Sequence, residues 1–106
     1  MDDFRTIYRM LKTLQKAMDY DEGADPDSLS ARALGVSSNR LNALWKMLAD
    51  EGYVTGVVVR SYQDQRADVV YPTNPKITLK GLDFLQENSL MKKAAQAAIG
   101  IITTKL

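Results

Sequence analysis

The chain has no cysteine and no histidine among its 106 residues. Without cysteine there is no disulfide framework and no thiolate chemistry, which fits a reducing compartment. Without histidine as well, the usual ligands of a structural zinc ion are missing, and so is the commonest general base. Most nucleophilic constellations are closed for the same reason, because they rest on a His or Cys partner. No apolar run is long enough to span a bilayer: the richest tract, residues 94–102, is broken by Gln96. Asp2 and Asp3 follow Met1 where a signal peptide would carry positive charge. The expectation is a cytoplasmic chain with no membrane segment, no metal, no cofactor and no catalytic residues.

What is present suits one soluble domain. The composition is 45% apolar and 25% charged, and the length allows a real core without staples. A net charge of +1 conceals an uneven distribution. Asp19, Asp21, Glu22, Asp25 and Asp27 crowd into residues 19–27, which hold no base. Outside that segment 14 bases face 8 acids, a local excess of six positive charges. A moderately basic body with one acidic loop permits a polyanion partner without demanding one.

Hydrophobic spacing organises the chain. Phe4, Ile7, Tyr8, Leu11, Leu14 and Met18 recur at intervals of three and four, which predicts a helix over residues 2–18. The breakers Gly23 and Pro26 follow in "DYDEGADPD". A short helix is expected from Asp27 or Ser28 to Leu34, turning Leu29, Ala33 and Leu34 inward. Gly35 suits the left-handed end of that helix, and Ser37 or Ser38 caps the next one. That next helix runs to about Glu51 with Leu41, Leu44, Trp45 and Leu48 on one face. From Val54 the pattern becomes β-branched: "VTGVVVRSYQ" and "VVYPT" flank the polar "DQRAD" and read as a hairpin. Pro72 is expected to confine the second strand to an edge or to end it, and "TNP" to form another turn. Thr78 caps a helix with Leu79, Leu82 and Leu85 or Phe84 inward, and Ser89 caps a last amphipathic helix. The fold class expected is α+β, mainly helical: a winged helix-turn-helix over residues 1–106, with 89–106 as a helical extension.

Three stretches carry a family resemblance: "LGVSSNRLNALWKMLADEGYVTGV", the hairpin, and "ITLKGLDFLQENS". Together they resemble the small winged-helix proteins of the YjcQ type, often phage- or prophage-related, over nearly the whole chain. The resemblance implies a winged helix and a phage-linked or regulatory context. It carries over no catalytic motif.

The functional candidates follow from that architecture. With the apolar face inward, Ser38, Asn39, Asn42 and Lys46 of the third helix point out, with Arg40 or Ala43 beside them. Asn pairs with adenine, Arg and Lys with guanine or phosphate, and Ser with either phosphate or base. Asn39, Asn42 and Lys46 are therefore assigned to bases, and Ser37, Ser38, Arg40, Arg60 and Arg66 to phosphates, the last two from the hairpin tip. The competing explanation is that Ser and Asn merely cap and solvate a helix start. Arg5, Arg9, Lys12 and Lys16 line one face of the first helix, a surface for phosphates or simply its wet side. The acidic loop fails as an EF-hand: counted from Asp19, Gly23 is fifth and the twelfth residue is Ser30. The scattered tyrosines fit core edges and cross-strand pairs better than base-stacking platforms.

The function expected is double-stranded DNA binding by a transcriptional regulator, with the C-terminal helix either pairing two copies as a homodimer or packing across its own domain. The alternative is a protein-interaction module of the same fold. An unbroken positive band over the third helix and the hairpin would favour DNA. A band interrupted by Asp50, Asp64 and Asp68 would favour a protein partner.

Overall fold

A computed structural model of the chain describes residues 3–63 and 68–88. Helix α1, Asp3–Ala17, opens with Asp3 at the positive end of its dipole. It buries Thr6, Met10, Leu11 and Leu14, with Ile7 and Tyr8 packed partly against the core. The expected stripe is thus shifted. Phe4 and Met18 are 67% and 63% exposed, and Met10 is fully buried in their stead. A helix of 15 residues is about 22 Å long, so its ends overhang a core that occupies only its middle turns.

The acidic segment folds back as a 3-10 turn, Pro26–Leu29, and then helix α2, Ala31–Leu34. The single short helix read from the sequence is split at Ser30, whose backbone is extended (ψ 157°). The Ser30 hydroxyl donates to the Asp27 carbonyl at 2.9 Å and accepts from the Ala33 N–H at 3.1 Å. One side chain thereby closes the first turn and caps the second. Leu29 and Leu34 are buried as expected, but Ala33 is exposed and Ala31 packs against the core. Gly35 ends α2 at φ 70°, and the Val36 N–H reaches back to the Ala31 carbonyl at 3.0 Å. That pairing satisfies carbonyls a helix end would otherwise leave open.

Helix α3, Ser38–Asp50, is capped by the Ser37 hydroxyl, which accepts from the Arg40 N–H at 3.1 Å. Leu41, Leu44, Trp45 and Leu48 are all buried, with Trp45 1% exposed. The helix ends as α2 does: the Tyr53 N–H donates to the Leu48 carbonyl at 2.9 Å beyond Gly52. Val54 is buried and begins strand β1, Val54–Arg60, which pairs antiparallel with β2, Val69–Ile77.

The hairpin corrects one expectation: "TNP" is not a separate turn but part of β2. Of the two outcomes expected at Pro72, the edge strand is the one found, and the strand continues past it. Thr55 faces Lys76 and Val57 faces Pro72, so Thr73, Asn74 and Pro75 bulge out opposite Gly56 alone. Prolines are tolerated because each strand of a two-stranded sheet has an edge where no N–H is required. The bulge fixes Gly56 at φ 78°, where an added Cβ would lie 2.6 Å from the Asn74 carbonyl oxygen.

A fourth helix, α4, is helical over the described residues 79–88. Thr78 welds its start to the end of α3: its hydroxyl donates to the Gly52 carbonyl at 2.6 Å and accepts from the Gly81 N–H at 3.1 Å. Gly81 presses on the Tyr53 carbonyl, and a Cβ there would lie 2.6 Å from Ile77 Cγ1. This contact turns Gly81 and Leu85 inward, leaves Leu82 and Phe84 half-buried, and puts Leu79, expected inside, at 83% exposure. The architecture is α+β and winged-helix-like, with α3 central and the hairpin beside it. The expected helix over 89–106 lies outside the described residues.

Candidate nucleic-acid interface

The face of α3 opposite its core residues is the surface to examine. At 3.6 residues per turn, Asn39, Ala43, Lys46 and Asp50 form the outermost strip. Ser38, Asn39, Arg40, Ala43 and Met47 are exposed, and Asn42 and Lys46 are half-buried. The first turn is well suited to presenting polar side chains. The Ser37 hydroxyl satisfies one backbone donor, which leaves Ser38 and Asn39 without a capping duty. Ser37 is exposed as well, with its hydroxyl oxygen already accepting from the Arg40 N–H.

The two cations of this face each meet an acid. The Arg40 guanidinium contacts both carboxylate oxygens of Asp3 at 2.7 and 2.8 Å, tying the start of α3 to the start of α1. Lys46 Nζ lies 2.9 Å from an Asp50 oxygen, one turn on. The Asp50 hydrogen bond and charge raise the Lys46 pKa above its ordinary value, helped by Asp68 just before β2, at the loop end of the hairpin. Both pairs are substantially exposed, so neither adds much to stability. Lys46 thus has two acids near it, Asp50 in contact and Asp68 through its charge. Asp64 and Arg66 fall outside the described residues. Arg60 is exposed at the end of β1, across from Val69.

The cation stripe of α1 divides by role. Arg9 extends to α2, where its guanidinium donates to the carbonyls of Ala33 at 3.0 Å and Leu34 at 3.5 Å. A cation at a helix C-terminus satisfies open carbonyls and complements the dipole. Lys12 Nζ donates to Gln15 Oε1 at 3.0 Å on its own helix. Arg9 is thus part of the scaffold, a role that a local charge pattern does not disclose.

Sequence reasoning missed three further features. The Asp3–Arg40 pair spans 37 residues and has no local signal. Lys46–Asp50 was visible as an i,i+4 pair, in the less favourable order of charges. Met47, 54% exposed, adds an apolar side chain to the outward face. Elsewhere a shallow depression of about 520 Å³ lies between the end of α1 and the acidic loop, lined in part by Lys16, Tyr20, Glu22 and Asp25. No residue of α3 or of the hairpin lines it. Asp25 is already occupied there, accepting from the Asp27 N–H at 3.0 Å. Among the described residues no three acidic side chains converge as they would around a metal ion, and no helix is long and apolar enough to cross a membrane.

Comparison with known proteins adds the lineage. Over 73 residues the chain is 36% identical to YjcQ of Bacillus subtilis (strain 168), itself uncharacterized, covering 69% of this chain and 71% of that protein. The solution NMR structure of the Bacillus subtilis YjcQ protein superposes with a TM-score of 0.50 at 28% identity, covering 78% of this chain and 91% of that one. The YjcQ protein family model matches residues 8–102, which takes in the capped α3, the hairpin and the Thr78–Gly81 weld. The chain belongs to the YjcQ family.

Proposed function

We propose that this protein binds double-stranded DNA, entering the major groove with the N-terminal half of α3. The observation that carries the reading is the turn from α2 through Gly35 to the Ser37-capped α3, which leaves Ser38, Asn39 and Asn42 on an accessible helix start. Asn39 and Asn42 meet base edges, with Lys46 beside them, while Ser38, Arg40 and the hairpin cations Arg60 and Arg66 meet phosphates. Ser37 serves by holding the first turn in shape. Because both pairs stand open to solvent, they are weak enough to exchange for phosphate. A regulatory role in a phage-linked setting is the context that the family resemblance implies. The same reading includes a homodimer through residues 89–106, checked by light scattering of the intact chain across a concentration series. It assigns no catalysis and no cofactor. Retardation of a mixed pool of duplex DNA at low salt tests it, with binding expected at micromolar protein and lost steeply as salt rises. No retardation at low salt removes it.

A second reading has its own observation. Both α3 cations are neutralised within the chain, Met47 is exposed among them, and the hairpin displays Val58 opposite Tyr71. A neutral face with apolar side chains suits a protein partner. Nuclease-treated lysate passed over immobilised protein tests this, and Met47→Lys should abolish retention of a genuine partner.

A further inference from the structure

We propose that Asp3 holds, in the free protein, the place on Arg40 that a DNA phosphate takes in the complex. The inference rests on the DNA reading above and assigns a control on affinity to it. Arg40 is the third residue of α3, and its backbone N–H is already used by the Ser37 hydroxyl. Its guanidinium is therefore the group this residue has to offer a ligand. A single guanidinium nitrogen lies 2.7 and 2.8 Å from the two Asp3 oxygens, a short charge-assisted contact of the kind a phosphodiester also makes. An arginine guanidinium offers carboxylate and phosphate the same donors.

The pair is built to exchange rather than to lock. The Arg40 and Asp3 side chains are 48% and 43% exposed, so water and a competing anion reach both. Asp3 belongs to α1, where it also faces the positive end of its own helix. It keeps that favourable position when Arg40 leaves. Displacement therefore strands no buried charge. It does leave a bare carboxylate beside the incoming backbone, which lowers affinity and takes back one counterion of those released on binding. Removing the carboxylate should strengthen binding and restore that ion to the salt dependence.

Fluorescence anisotropy with a labelled mixed-sequence duplex, measured from low to moderate salt on wild type, D3N, R40Q and the double variant, tests the proposal. D3N is expected to bind several-fold more tightly at low salt. Its plot of log affinity against log salt should steepen by about 0.9, the contribution of one phosphate. R40Q added to D3N should cancel both gains. Equal affinity and slope in wild type and D3N would overturn the role of Asp3 while leaving DNA binding intact. A gain that survives in the double variant would also overturn it, because a long-range loss of negative charge would then suffice. Binding by none of the four removes the DNA reading and this proposal with it. D3S, which keeps an oxygen at the start of α1, runs beside D3N with the same expectation should thermal melts show D3N to be unfolded.

Discussion

The two ends of α3 are held in different ways. At its C-terminal end, Gly52, Tyr53, Thr78 and Gly81 interlock through backbone carbonyls, a 2.6 Å hydroxyl bond and a contact too close for any Cβ. Tyr53 and Phe84 add a tilted ring pair at 5.3 Å, and Lys80 lies 5.3 Å over the Tyr53 ring. At its N-terminal end, among the described residues, the polar ties are a serine cap and an exposed charge pair. Stability is thus concentrated where α3, the hairpin and α4 meet. The displayed end is left cheap to rearrange, which is what a surface that exchanges partners requires.

Substitutions can break that contrast in descending order of effect. Trp45→Ala empties the centre of the core and should cost about 3–5 kcal/mol in urea unfolding, since Trp45 is 1% exposed. Gly81→Ala comes next. On helix propensity alone it would stabilise by about 1 kcal/mol. Because its Cβ would meet the Tyr53 carbonyl and Ile77, a net loss of about 1–3 kcal/mol is expected instead. A rise in melting temperature would show that α4 is not pressed on Tyr53 and Ile77 as described. Ser37→Ala removes the α3 cap and should cost about 1 kcal/mol by the same measurement. Asp3→Asn at the displayed end should change stability by less than about 1 kcal/mol, because the pair it breaks is half-exposed. A loss there comparable to Gly81→Ala would erase the distinction between the two ends.

The smallest effect concerns pH. Lys46 is held protonated by Asp50, so its contribution is fully present below the ordinary lysine pKa and is lost only as pH rises through the raised folded value. It therefore adds no slope to stability across the neutral range. The absence of histidine removes the side chain that ordinarily titrates there. NMR titration of Nζ should show the Lys46 pKa falling toward its ordinary value in Asp50→Asn. An unchanged value would mean that Asp50 does not hold it.

The core face of α3 was legible because four apolar side chains at helical spacing sit between two glycine stops. The ends of α1 and α4 were not. Periodicity gives a stripe but not where the core beneath it stops, so Phe4, Met18 and Leu79 read as buried and are exposed. "TNP" carries the same local signal whether it turns the chain or bulges a strand. Only the pairing of Thr55 with Lys76 and Val57 with Pro72 decides between them. The polar residues of the candidate interface were nameable from one helix, and the winged-helix frame was visible before any coordinates. Asp50 and Asp68 were nameable from the sequence as acids near that face, but Asp3 was not, because it reaches Arg40 from an element 37 residues away.

Whether the displayed end of α3 meets DNA is best read residue by residue. In a 15N-labelled chain titrated with duplex DNA at low salt, shifts should concentrate at Ser38, Asn39, Arg40, Asn42 and Lys46, with Arg60 following. The amides around Tyr53 and Gly81 should stay still. Shifts confined to other surfaces, or none at all, would contradict the assignment of this face to nucleic acid.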